Sequence, residues 1–139
     1  MALINWNESL TLGFDSIDTQ HQKLVAITNE LHDSMLAGKS RQALGTLLTE
    51  LVAYTQSHFN FEEQLFRTHS YPLIAKHTAE HTNLTKQVLD FKARFESGTI
   101  SLSVELMEFL RNWLAAHISG SDRVFVEHLN GKRSASLPR

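Results

Sequence analysis

The feature that most constrains this fold is a set of helical seams interrupted by polar residues. Ile74, His77, His81, Leu84, Val88, Phe91 and Phe95 recur at steps of three and four residues, the spacing of one helix face packed on a neighbour. His77 and His81 therefore stand at core positions. The seam Leu44, Leu48, Leu51, Thr55, His58, Glu62 and Leu65 does the same with a histidine and a carboxylate. Leu106, Phe109, Leu110 and Trp113 lead on one face to His117, and His21 precedes Leu24, Ile27, Leu31 and Met35. The stretch "HFNFEEQLFRTHSYPLIAKHTAEH", His58 to His81, holds four of the chain's eight histidines.

These seams predict an all-α fold, an antiparallel up-down-up-down four-helix bundle with an extended N-terminal arm. The helices are expected at about residues 19–37, 41–67, 72–96 and 102–128. Asp18 and Ser40 are candidate N-caps, Pro72 suits a first helical turn, and Gly38 and Gly98 follow helix ends. Short loops between the helices favour antiparallel neighbours. Residues 1–17 are read as an arm anchored on the bundle by Trp6, residues 18–130 as the bundle, and residues 131–139 as a flexible tail.

At 139 residues one domain is expected. A net charge of −2 and a pI near 6.4 supply no basic stripe for nucleic acid. The absence of cysteine excludes disulfides, thiolate metal sites and a cysteine nucleophile. No apolar run reaches the roughly 20 residues of a membrane span, and "MALINWNESL" does not resemble a signal peptide. A soluble, cytoplasmic protein is expected.

Buried polar side chains without partners cost roughly 2–7 kcal/mol each, against a total stability of about 5–15 kcal/mol. They must therefore satisfy one another or bind something. In an antiparallel bundle the starts of the first and third helices lie level with the ends of the second and fourth. His21, His58, Glu62, His77, His81, His117 and Asp122 then share a layer roughly 5–16 Å from one end. His58/Glu62 and His77/His81 are i, i+4 pairs on one face. His117 and Asp122 are separated by five residues, about 140° apart on a straight helix. Their convergence predicts a non-ideal turn, such as a π-bulge, near residues 118–122, eased by Gly120.

Five imidazoles and two carboxylates exceed the needs of one metal. Two octahedral metals offer about twelve positions. The histidines would fill five of them, two bridging carboxylates four, and a solvent-derived oxygen bridge two, leaving one open for a small molecule. His32, on nearly the same face as His21 but about 16 Å further along, is read as a non-ligand. His69 and His128 are read as surface residues, and Glu63 and Glu80 as part of a solvated face. Phe61, Phe66, Phe91 and Phe95 are read as plain core.

The order His21, "HFNFE" (His58 to Glu62), "HTAEH" (His77 to His81) and "HISGSD" (His117 to Asp122) resembles the hemerythrins, most of all the stand-alone bacterial members. "LTLGFDSIDTQHQKL", with Trp6 before it and Gly13, Asp18 and His21 within it, is similar to the same family, as is the "YP" at Tyr71 and Pro72. The resemblance runs from about Trp6 to His128. It implies two non-haem Fe ions with a bridging oxo or hydroxo group that bind O2 reversibly. His77, His81 and His117 would hold a full iron and His21 and His58 an open one, with Glu62 and Asp122 bridging. It also implies an apolar O2 pocket of Leu24, Phe59, Trp113, Leu114 and Ile118, which keeps water away. Nitric oxide or a small anion is a further ligand for the open iron. Phe125 departs from the tyrosine often found in relatives.

An O2 carrier, store or scavenger, not an enzyme, is thus the leading expectation. A di-iron oxidase or peroxidase ranks lower, because such sites in bundles are rich in glutamate. A sensor of O2, NO or redox state would have to act in trans, through a separate partner.

Overall fold

The computed structural model describes the backbone of residues 3–98 and 104–136; within those spans the side chains of residues 9, 104–106 and 131–136 are not described. Helix α1 spans Asp15–Leu36, α2 Arg41–Thr68, α3 Ile74–Glu96, α4 Val104–His117 and α5 Arg123–Ser136. A π turn, Ile118–Asp122, joins α4 to α5, so the last two helices form one interrupted rod. The result is the expected four-helix bundle. Helix α1 packs on α2 and on α4, and α2 packs on α3.

Apolar positions at helical spacing close the core. Leu24, Ile27 and Leu31 of α1, Leu48 and Leu51 of α2, Val88, Phe91 and Phe95 of α3, and Leu110 and Leu114 of α4 are all buried. Each such side chain contributes about 1.5–3 kcal/mol when removed from water. The core polar residues Thr28 and Thr55 donate to the Leu24 and Leu51 carbonyls one turn back. Phe109, expected in the fourth seam, is instead exposed, and Met107 is buried. The buried face of α4 is centred on Leu110 and Leu114, about 100° from Phe109. The Leu106 side chain and the expected helix start near residue 102 lie outside what is described.

Helix ends follow local chemistry. Ser40 caps α2, its Oγ accepting from the Ala43 N–H at 3.1 Å. Gly38 (φ +72°) closes α1, with the Lys39 N–H donating to the Ser34 carbonyl at 3.0 Å. Asp18 is not the N-cap of α1, which starts at Asp15. Its carboxylate instead accepts from the backbone N–H groups of Leu12 and Gly13, at 2.8 and 3.0 Å. Those loop donors compete for the oxygens a cap would use, so the helix begins a turn earlier. Pro72 lies in the turn before α3 rather than inside it. The fourth rod runs past His128 and the Asn130–Gly131 pair to Ser136. One glycine costs a helix only about 1 kcal/mol, and Val126 and Leu129, both buried, support the turns before it.

The arm lies on the bundle. Ile4 donates to Asn29 Oδ1 and accepts from Asn29 Nδ2, both at 2.8 Å. Ile4, Leu10 and Leu12 are buried, and Trp6 packs against the core. A short 3-10 turn, Glu8–Leu10, rests against the π turn.

Candidate metal centre

The structure brings all seven candidate donors into one buried cluster. His21, Glu62 and Asp122 are wholly buried, and His58, His77, His81 and His117 nearly so. His21 and His117 place Nε2 at 2.7 and 3.0 Å from Asp122 Oδ2, and His77 Nε2 lies 2.9 Å from Oδ1. Glu62 Oε1 is 3.0 Å from His81 Nε2, 3.4 Å from His58 Nε2 and 3.6 Å from His117 Nε2. The Nε2 atoms of His21 and His58 stand 3.1 Å apart.

Two overlapping groups emerge, each with donor atoms within 4.8 Å of one another: Glu62, His77, His81, His117 and Asp122; and His21, His58, Glu62 and Asp122. Glu62 and Asp122 belong to both. The π turn makes this possible. It carries Asp122 five residues beyond His117 yet leaves both aimed inward. Gly120 in that turn does not have a positive φ, and a Cβ there would meet nothing within 4 Å. The distortion is therefore not a glycine requirement.

The cluster does not satisfy itself. Both Glu62 oxygens, Asp122 Oδ2, His81 Nε2 and His117 Nε2 are buried without a hydrogen-bond partner. Their separations suit ion pairs, but their angles do not suit hydrogen bonds. Orphaned buried polar atoms are rare, and here they converge on one another. Histidine nitrogens and carboxylate oxygens are also a donor set suited to first-row divalent metals. The residues present fit a metal.

Electrostatics follow from this crowding. Burial and the neighbouring Asp122 raise the Glu62 carboxyl well above its usual range. Burial lowers His58 to about 4, and burial with the neighbouring His117 and His77 lowers His81 to about 2. Burial would also lower His117, but Asp122 and Glu62 outweigh it and raise this residue to about 10. Asp122 is held well below its usual range, burial being overcome by His117, His21 and His58.

Aromatic packing encloses the cluster. Phe59 stacks on His81, with centroids 3.9 Å apart and planes 6° apart, and lies 5.1 Å from His117 and 6.5 Å from Trp113. Leu24, Leu114 and Ile118 are buried in the same core. Phe125 is wholly buried among Phe66, Tyr71 and His77. Three surface depressions reach inward to an imidazole: one of about 220 Å³ to His77, one of about 380 Å³ to His81, and one of about 230 Å³ to His117. All three belong to the three-histidine group.

His32 lies outside both groups. His69 and His128 are half-buried rather than exposed, and the His128 ring lies 5.1 Å from that of Tyr71. Phe66, Phe91 and Phe95 are core, whereas Phe61 is half-buried. Glu63 and Glu80 do not belong to a solvated face. Glu63 Oε2 accepts from His81 Nδ1 at 3.0 Å, and Glu80 accepts from Ser121 Oγ at 2.6 Å. Gln20, absent from the sequence reading, accepts from His58 Nδ1 at 2.6 Å. Its place beside His21 is a weak signal, because the contact depends on how α1 and α2 are aligned.

Fold and site together define a helical bundle with a buried histidine–carboxylate cluster able to hold metal. A family model, the hemerythrin HHE cation-binding domain, matches residues 12–129. The chain belongs to the hemerythrin family. It is 38% identical over 134 residues to a bacteriohemerythrin of Stenotrophomonas maltophilia, covering 94% of this chain and 86% of that one. It is 35% identical over 127 residues to a bacteriohemerythrin of Pseudomonas aeruginosa, covering 91% and 82%. A crystal structure of wild-type hemerythrin superposes with a TM-score of 0.85 at 29% identity, covering 91% of this chain and 97% of that one. No helix among the described residues is long and apolar enough to cross a membrane.

Proposed function

We propose that this chain binds O2 reversibly at a non-haem di-iron centre, as a carrier, store or scavenger. The observation that carries the reading is the pair of donor groups sharing Glu62 and Asp122, whose buried polar atoms lack other partners. Its relatives are bacteriohemerythrins, and hemerythrins are O2-binding carriers rather than enzymes. His77, His81 and His117 would hold one iron and His21 and His58 the other, with the two carboxylates shared. When bound, the iron pair supplies the reversible two-electron chemistry that O2 binding needs.

The chain's own residues do the rest. With two histidines and two shared carboxylates, the smaller group would leave a position for a small ligand. Leu24, Phe59, Trp113, Leu114 and Ile118 form an apolar lining that excludes water and protons, which slows loss of the reduced state. Nitric oxide and small anions would compete for the same position. A cytoplasmic location suits a cysteine-free carrier.

The test is anaerobic reconstitution with ferrous iron. Two irons per chain are expected, with a visible band that appears on adding O2 and disappears on removing it. His77→Ala should abolish the band and His32→Ala should leave it intact. Irreversible bleaching with turnover of an added substrate would instead favour an oxidase.

A further inference from the structure

Glu62 and Glu63 are neighbours on α2, yet they meet the two nitrogens of one ring. Glu62 Oε1 lies 3.0 Å from His81 Nε2, and Glu63 Oε2 lies 3.0 Å from His81 Nδ1. Successive helical residues diverge by about 100°, so one glutamate points into the cluster while the other reaches across to α3. An ionised carboxylate only accepts hydrogen bonds. Nδ1 therefore carries the proton, and Nε2 turns its lone pair inward. Phe59, stacked flat on the ring, holds it in that plane.

His58 has a matching but uncharged partner. Its Nδ1 faces Gln20 Oε1 at 2.6 Å. The Nδ1 atoms of His21, His77 and His117 are buried with no hydrogen-bond partner. Outer support thus falls on one imidazole in each donor group, charged in the three-histidine group and neutral in the two-histidine group. Such outer partners fix ring orientation, and a carboxylate also raises the basicity of the ligand. The Glu63 side chain is only 22% exposed, so its charge is less screened than that of a surface glutamate.

We propose that Glu63 is a positioning residue that makes the three-histidine group the stronger electron donor, while Gln20 orients His58 without adding charge. This inference rests on the di-iron reading and assigns the two halves of the centre different affinities for oxidised metal. Loss of the Glu63 charge weakens the hold on the oxidised form, and a charge at position 20 strengthens it in the other half.

The experiment uses the iron-loaded chain with Glu63→Gln, Glu63→Asp and Gln20→Glu variants. It measures iron content, iron affinity and midpoint potentials by spectroelectrochemistry. Iron affinity of Glu63→Gln should fall about 10–100-fold. Its midpoint potential should rise by an amount equivalent to about tenfold in the oxidised-to-reduced ratio, about 59 mV for a one-electron step. Gln20→Glu should move the potential the opposite way, and Glu63→Asp should stay near the parent value. A parent chain that does not hold two irons would overturn the di-iron reading, and this inference with it. A two-iron parent whose potential is unmoved by both Glu63→Gln and Gln20→Glu would overturn this inference alone, leaving the di-iron reading in place.

Discussion

Replacing Glu62 with Leu should make the metal-free protein more stable while removing its response to metal. Glu62 is wholly buried, and neither carboxyl oxygen has a hydrogen bond. Burial and Asp122 raise the carboxyl well above its usual range, and His117 lowers it only in part, so its ion pairs offset only part of its desolvation. An unsatisfied buried polar group costs about 1–3 kcal/mol, and leucine has a similar volume without that cost. His81 Nε2, the nearest nitrogen at 3.0 Å, already lacks a hydrogen bond, so little is lost there. The gain of about 1–3 kcal/mol corresponds to a Tm rise of roughly 4–12 °C for a chain of this size. Metal at a thousandfold excess over its Kd should stabilise the parent by about 4 kcal/mol and the variant hardly at all. Calorimetry with and without metal reads both effects. A metal-free Glu62→Leu protein less stable than the parent would refute the reasoning, because Glu62 would then be satisfied in the fold.

Metal loading near neutral pH should release about one to two protons per chain, because ligands must be deprotonated. Asp122 and Glu62 raise His117 to about 10, so metal binding must displace its proton. Metal affinity should therefore increase as pH rises towards that value; calorimetry in buffers of different ionisation enthalpy would detect the release, and its absence would contradict the His117 assignment. Asn29→Ala should remove two hydrogen bonds to Ile4, cost about 1–3 kcal/mol and make the arm sensitive to proteolysis while two irons remain bound. Gly120→Ala should keep the metals and gain up to about 1 kcal/mol, since its Cβ meets open space; loss of metal would show that the π turn depends on glycine.

Much of this architecture is legible in the chain because period and polarity conflict. His58 and Glu62 continue a leucine seam, so their burial follows from spacing. The turn at residues 118–122 is legible for a similar reason, since His117 and Asp122 share a face only if the helix is distorted. What escapes is set by contacts between elements. Asp18 looks like a cap until the backbone of Leu12 and Gly13 folds over it. Glu63 and Gln20 look like ordinary surface residues until the alignment of three helices shows which imidazole nitrogen faces outward. Phe109 follows the seam by number, yet the face of α4 is turned towards Leu110 and Leu114.

The depressions that reach His77, His81 and His117 have a consequence for electron transfer. On that side the wall between the cluster and solvent is one imidazole thick. A reductant resting in any of the three would have an aromatic ring as the whole path to the interior, short enough for tunnelling without parting the helices. Molecules larger than such a depression would remain outside. The depression beside His77 shares no residue with the apolar lining, whereas Phe59 and Trp113 border the other two, so only the His77 route would keep electrons apart from gas.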